Sequence, residues 1–156
     1  MKISSRSVKE TLHIGKVIAR SLDKGDIVCL FGGLGSGKTV LTKGIASGLG
    51  IRKGDILSPT FVLMHPYFKA RLPFFHFDLY RLSSPKDILD LGYEEYFYNE
   101  GITVIEWAQR LKYLLPKDFL GIRLYLKGER ERSLEFFAAG QRCGYLLEKI
   151  GEDISP

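Results

Sequence analysis

The sequence predicts a single α/β domain, and three observations carry that prediction. The run IVCLF (27–31) is short and continuously apolar, as strands buried on both faces are, and ITVIEW (102–107) reads as a further buried strand. Between such runs lie segments whose apolar residues recur at helical spacing. The two kinds of segment alternate along 156 residues, the length of one ordinary domain.

The elements follow in order. Ser7 and Glu10 have capping-box spacing, so a helix begins there, and Ile14, Val17, Ile18 and Leu22 give it one apolar face. KGD (24–26) ends the pattern before the strand 27–31. A glycine-rich turn leads into a helix from about Lys38 to Leu49, with Gly50 as its stop. SPTFVLMHPY (58–67) and FFHFDLY (74–80) read as two strands of a hairpin, because Lys69, Arg71 and Pro73 lie between them. Ser84-Pro85 opens a helix running to about Phe97. After the strand 102–107, a short helix ends before Pro116. GIRLYLKG (121–128) alternates as a half-exposed strand does, GERER turns the chain into SLEFF (133–137), and YLLEKI (145–150) is a last short helix.

Composition narrows the function classes. Apolar residues make up 45%, enough for a packed core rather than a disordered chain. No apolar run approaches the ~18 residues of a membrane helix, and the first residues lack an apolar signal region. Two cysteines are too few for a disulfide framework, and Cys29 reads as a buried strand residue. The expected location is therefore the cytoplasm. Lys plus Arg exceed Asp plus Glu by 23 to 18, which permits an anionic partner without demanding one.

The chemistry is concentrated in GGLGSGKT (32–39). Gly32, Gly37, Lys38 and Thr39 meet the pattern G-x-x-x-x-G-K-[ST], and a strand precedes and a helix follows, as a P-loop requires. Glycines let the amides of Gly33, Leu34, Gly35, Ser36 and Gly37 turn toward phosphate oxygens. The helix N-terminus adds partial positive charge. Lys38 is expected to reach the β- and γ-phosphates and the Thr39 hydroxyl to bind Mg²⁺. The fold class then sharpens to a single P-loop NTPase domain over residues 1–156: a mixed, mostly parallel sheet flanked by helices, with antiparallel hairpins. A guanine-reading Asn/Thr-Lys-x-Asp element is absent from the sequence. Asp118–Gly121 fits Asp-x-x-Gly as a string, but no apolar strand leads into it. ATP is the nucleotide this favours.

A magnesium nucleotide also needs carboxylates at strand ends. Glu106 closes Ile102–Ile105, and Asp78 follows FFHF. Either could hold the metal while the other orients water. In Ser58-Pro59-Thr60, proline favours an extended approach that could aim the Thr60 hydroxyl at the γ-phosphate. His76 reads as a strand residue, and His13 and His65 as polar surface. Phe74, Phe75 and Phe77 read mainly as core, and Trp107 as packing.

Together, GGLGSGKT, SPTF, HFDLYRL and EWAQRL resemble the TsaE (YjeE-type) ATPases of bacteria, from about Ser7 to Gly140. The resemblance implies a Mg-ATP-dependent ATPase that assists a TsaB–TsaD complex in making threonylcarbamoyladenosine beside the tRNA anticodon. Contact with tRNA is then indirect or weak. It implies that Lys38 and the loop amides bind phosphates, that Thr39 and Glu106 are the magnesium ligands, and that Asp78 is the water-orienting or catalytic acid. Thr60 falls in a switch-like strand near the γ-phosphate, Thr11 near the adenine, and Arg132 at a basic position of the late hairpin. Trp107 matches a Glu-Trp pair that couples the site to the partner. Two positions depart from the family: Gly33 stands where an acid is usual, and Gln109 replaces a common acid. Two other readings remain open, a P-loop small-molecule kinase and a nucleotide-binding module without catalysis. The kinase needs an arginine-rich lid, for which the GERER turn is the available segment.

Overall fold

The structure, a computed structural model, describes residues 1–59, 63–98 and 100–154. In chain order the elements are β1 (Lys2–Ser5), α1 (Val8–Ser21), β2 (Ile27–Phe31), α2 (Lys38–Gly48), β3 (Met64–Tyr67), β4 (Phe74–Asp78), α3 (Pro85–Leu89), α4 (Glu94–Phe97), β5 (Ile102–Glu106), β6 (Phe119–Leu126), β7 (Arg132–Ala139) and α5 (Gln141–Ile154). Short 3₁₀ segments lie at Lys53–Asp55 and Ala108–Leu114.

The strands form one sheet in the order β1-β7-β6-β2-β5-β4-β3. Its centre, β6-β2-β5-β4, is parallel, and antiparallel pairs close both sides. The mixed sheet and its hairpins are thus as the sequence predicts. Side-chain alternation splits the core in two. Val28 and Leu30 of β2 pack with Ile14 and Ile18 of α1, Leu41 and Ile45 of α2, and Leu146 of α5. Ile27 and Cys29 face the other way, toward Phe77, Ile88, Phe97 and Leu111. Helices therefore cover both faces.

Local chemistry sets the helix ends. The Ser7 hydroxyl accepts the Glu10 N–H at 3.1 Å, while the Glu10 carboxylate accepts the Arg6 N–H at 2.7 Å. At the other end of the second helix, Gly50 takes φ 94° after Leu49, so the predicted stop is where it was expected. Helices α1 and α2 meet backbone to backbone at Gly15 and Gly44. A Cβ on Gly44 would lie 2.5 Å from the Leu12 carbonyl oxygen.

Several boundaries differ from the sequence reading. Lys2–Ser5 form an edge strand on β7 that the polar string KISS does not announce. The helix expected over 84–97 is two short helices, because Gly92 turns left-handed at φ 64°. Of 58–67, only Met64–Tyr67 are described as strand, and Thr60 lies outside the described residues. The strand expected over 74–80 stops at Asp78. Strand β6 begins and ends two residues earlier than read, β7 is longer, and the last helix is Gln141–Ile154 rather than 145–150. Asp118, far from acting in an Asp-x-x-Gly element, accepts the Cys143 N–H of α5 at 3.2 Å.

Candidate phosphate-binding site

Strand β2 delivers the chain to the glycine-rich turn, and the turn delivers it to α2. Gly35 and Gly37 have φ 74° and 104°, values that a side chain would strain. Gly32 is required for space as well: a Cβ there would sit 2.6 Å from the Leu124 carbonyl oxygen and 2.7 Å from Ser36 Oγ. The first turn of α2 is tied on by the Leu41 N–H, which donates to the Gly37 carbonyl at 3.0 Å.

Lys38 is only 4% exposed. Its Nζ donates to the carbonyls of Gly32 and Gly33 at 2.8 and 2.7 Å and to Ser36 Oγ at 3.2 Å. It also lies 4.0 Å above the Trp107 ring. The ammonium thus braces the loop from inside. Burial pulls its pKa below the ordinary lysine value, and the nearby Glu106 and Asp78 charges oppose that.

Sheet register brings the acids to the same place. Leu30, the penultimate residue of β2, pairs with Glu106 of β5, and Glu106 pairs with Asp78 of β4. Both carboxylates therefore lie at the carboxyl edge of the parallel strands, beside the start of α2, where open α/β sheets bind ligands. Glu106 is 1% exposed. Its Oε2 accepts the Thr39 hydroxyl at 2.9 Å, and its Oε1 faces His76 Nε2 at 2.8 Å. Burial alone would raise the Glu106 pKa, but the hydrogen bonds from His76 and Thr39 outweigh it and hold the carboxyl below its usual value. Asp78 is half-buried, and its Oδ1 accepts the Tyr80 N–H at 3.0 Å. Its pKa is raised, chiefly by burial, with the Tyr80 N–H opposing.

A cleft of about 330 Å³ runs over the loop and is lined by Gly37, Lys38, Thr39, Asp78, Glu106 and Arg132, among others. A second cavity of about 300 Å³ adjoins it through Gly37, Val40 and Arg132 and contains Ser7, Val8 and Thr11. The Thr11 hydroxyl is 2.8 Å from Ser5 Oγ and donates to the Ser7 carbonyl at 3.3 Å, so this side chain shapes the wall of the cavity. Arg132 borders both spaces, although its Nη1 donates to the carbonyls of Gly128, Glu129 and Glu131 in its own turn. Leu34 and Gly35 are exposed at the rim, and Ser36 is buried.

The structure thus brings Thr11, the loop 34–37, Lys38, Thr39, Asp78 and Glu106 around two adjoining cavities, while Gly33 is exposed and lines neither. His76 is the partner that the sequence reading missed. The signal was present: in a strand, residues 76 and 78 share a face, so a histidine two before Asp78 points the same way as the acid. Gln109 donates to the Gly32 carbonyl at 3.3 Å. His13 is exposed as read, whereas His65 is half-buried in β3, 5.0 Å from the Tyr67 ring.

Strand, glycine-rich turn and helix, with acids closing the adjacent parallel strands, define a P-loop domain of the α/β class. Comparison with known proteins gives the family. Residues 5–134 match the model described as Threonylcarbamoyl adenosine biosynthesis protein TsaE, and the chain belongs to the TsaE family. It is 39% identical over 142 residues to the Bacillus subtilis tRNA threonylcarbamoyladenosine biosynthesis protein TsaE, covering 91% of this chain and 88% of that one. The protein of the same name from Treponema pallidum is 42% identical over 133 residues, 84% of this chain and 97% of the relative. The crystal structure of Bacillus subtilis YdiB superposes with a TM-score of 0.84 at 34% identity, over 99% of this chain and 96% of the other.

Proposed function

We propose that the chain binds ATP with Mg²⁺, hydrolyses it slowly alone, and uses the cycle to assist a TsaB–TsaD complex in threonylcarbamoyl modification of the adenosine next to the tRNA anticodon. The observation that supports this most is the convergence of Lys38, Thr39, Asp78 and Glu106 in one cleft beside the N-terminus of a helix. The family and the names of its relatives supply the pathway.

The donor set suits magnesium. Thr39 and Glu106 offer hard oxygen atoms, already held together at 2.9 Å. A hydroxyl carries one proton and two lone pairs, so Thr39 can donate to Glu106 and still present an acceptor to a cation. When bound, the ion supplies positive charge beside the phosphate oxygens. The rest is the work of the chain. The amides of residues 33–37 and the end of α2 favour negative charge at the turn. Lys38 exchanges its contacts with the Gly32 and Gly33 carbonyls for phosphate oxygens. Asp78, oriented by the Tyr80 N–H, accepts a hydrogen bond from the attacking water and aligns it. Thr11, Val8 and Val40 form a mostly apolar wall that fits a purine.

A small-molecule kinase is the less supported reading. The β6–β7 turn is the sequence's lid candidate, and its Arg132 is bound to carbonyls of the same turn. Among the described residues, no helix is long and apolar enough to cross a membrane. We place the activity in the cytoplasm, with tRNA contacted indirectly or weakly.

Phosphate release from ATP, measured with and without TsaB and TsaD, tests the proposal. A slow rate that the partners accelerate is expected. Equal rates in both mixtures would remove the switch role, and ATP-dependent phosphorylation of a metabolite would favour the kinase.

A further inference from the structure

We infer that His76 is a positioning residue for Glu106: it fixes one carboxylate oxygen so that the other is presented, together with the Thr39 hydroxyl, to the cleft. The inference rests on the magnesium-nucleotide reading above and names a residue that the phosphate motif does not contain.

Three observations carry it. First, His76 and Glu106 are each 1% exposed, and Nε2 lies 2.8 Å from Oε1. An ionised carboxylate so deeply buried needs a partner for each oxygen. Here the two partners come from different elements: His76 from β4 holds Oε1, and Thr39 from α2 holds Oε2. The glutamate side chain is thereby fixed at both atoms, and its direction is set before any ligand arrives.

Second, the imidazole is placed for this bond and not for another. His76 Nδ1 is buried without a hydrogen-bond partner among the described residues. Leaving a buried polar atom unpaired is unfavourable, and a ring needed for volume alone would not carry it. The neighbours make the point: Phe74, Phe75 and Phe77 fill the same strand with apolar rings. Histidine stands at the one position of the four from which a side chain meets Glu106.

Third, the geometry follows from sheet parity. Asp78 pairs with Glu106 in register, so His76 lies diagonally across the ladder on the same face. The rigid centre of the sheet, rather than a loop, sets the angle of the carboxylate. Groups that orient a metal ligand in this way commonly change metal affinity by about 10- to 100-fold when removed.

Three variants test the assignment. His76→Gln can place an amide N–H near the position of Nε2, His76→Asn can reach only the position of Nδ1, and His76→Leu fills volume without a donor. Affinity for a nonhydrolysable ATP analogue is measured by calorimetry in EDTA and across a MgCl₂ series, with thermal melts to establish folding. In His76→Leu and His76→Asn, affinity in EDTA is expected to stay within about twofold of wild type, while the half-saturating Mg²⁺ rises about tenfold. His76→Gln should recover most of that loss. Should the leucine variant fail to fold, the glutamine–asparagine comparison decides alone. An unchanged Mg²⁺ requirement in folded His76→Asn would overturn the inference, as would equal defects in the glutamine and asparagine variants. Wild-type protein that binds no analogue with Mg²⁺ would instead overturn the nucleotide reading, and this inference with it.

Discussion

Gly44→Ala is a perturbation of one methyl group, placed where α2 crosses α1. The added Cβ would lie 2.5 Å from the Leu12 carbonyl oxygen and 3.0 Å from the Gly15 Cα. Backbone carbon–oxygen contacts close to about 3.3 Å, so the helices must part by about 0.8 Å. Neither contact atom is the end of a flexible side chain, and neither can swing away. Overpacking of this kind costs about 1–3 kcal/mol. Alanine returns about 1 kcal/mol in helix propensity. The net expectation is a loss of about 0–2 kcal/mol. Gly144→Ala is the internal control. It also lies inside a helix, but its Cβ meets nothing within 4 Å. There the propensity term acts alone, and a gain of about 0.5–1 kcal/mol is expected. Urea denaturation of the two variants and wild type measures both, with m values compared to check that the unfolding reaction is unchanged. Because α2 carries Lys38 and Thr39 at its other end, Gly44→Ala should also reduce ATP turnover. A Gly44→Ala variant that gains as much stability as Gly144→Ala would refute the claim that backbone contact fixes the two helices.

Asp78→Asn is expected to bind ATP with near wild-type affinity and to lower turnover about 10²-fold or more, read in a single-turnover assay. The same variant should be more stable than wild type near neutral pH. The folded pKa of Asp78 is raised above its ordinary value by burial, so the native state holds its proton more tightly than the unfolded chain does. Stability from this group is therefore full at pH below the unfolded value and is lost as pH rises through the raised folded value. The advantage of Asp78→Asn should shrink to nothing in acid, which melts across a pH series would show. Trp107 is the one tryptophan of the chain, and Lys38 Nζ lies 4.0 Å above its ring. ATP should therefore change its fluorescence as the ammonium moves, and Lys38→Met should abolish the change. Gly33→Glu places an acid on the exposed rim of the loop. Its Cβ meets nothing within 4 Å, and stability by urea melt should stay within about 0.5 kcal/mol of wild type.

The parts of the fold that could be read from sequence are those where one local signal dominates. IVCLF is apolar throughout and ITVIE is mostly apolar because β2 and β5 lie at the sheet centre, covered on both faces. Ser7 and Gly50 mark helix ends through chemistry confined to a few residues. Strand β1 was hidden because an edge strand, KISS, buries little and takes its pairing from β7, more than a hundred residues away. The helix expected over 84–97 failed at Gly92, where a left-handed turn overrides an otherwise helical pattern. Within the 3₁₀ segment, Lys112 has φ 50° and ψ −116°, a break that lysine does not announce. The site divides in the same way. The glycine-rich loop, Lys38 and Thr39 form one contiguous motif. Bringing Glu106 beside Asp78 needs the strand order β2-β5-β4, which no local pattern contains. The role of His76 needs the register as well, and the inward bonds of Lys38 depend on the path of the loop in space.

The most direct test of the account is the calorimetric affinity of wild type and Lys38→Ala for ATP with Mg²⁺. Wild type is expected to bind saturably at one site and the variant to lose at least about tenfold in affinity, with both proteins folded by thermal melt. Equal affinity in the two proteins would contradict it, because the buried ammonium would then take no part in holding the phosphates.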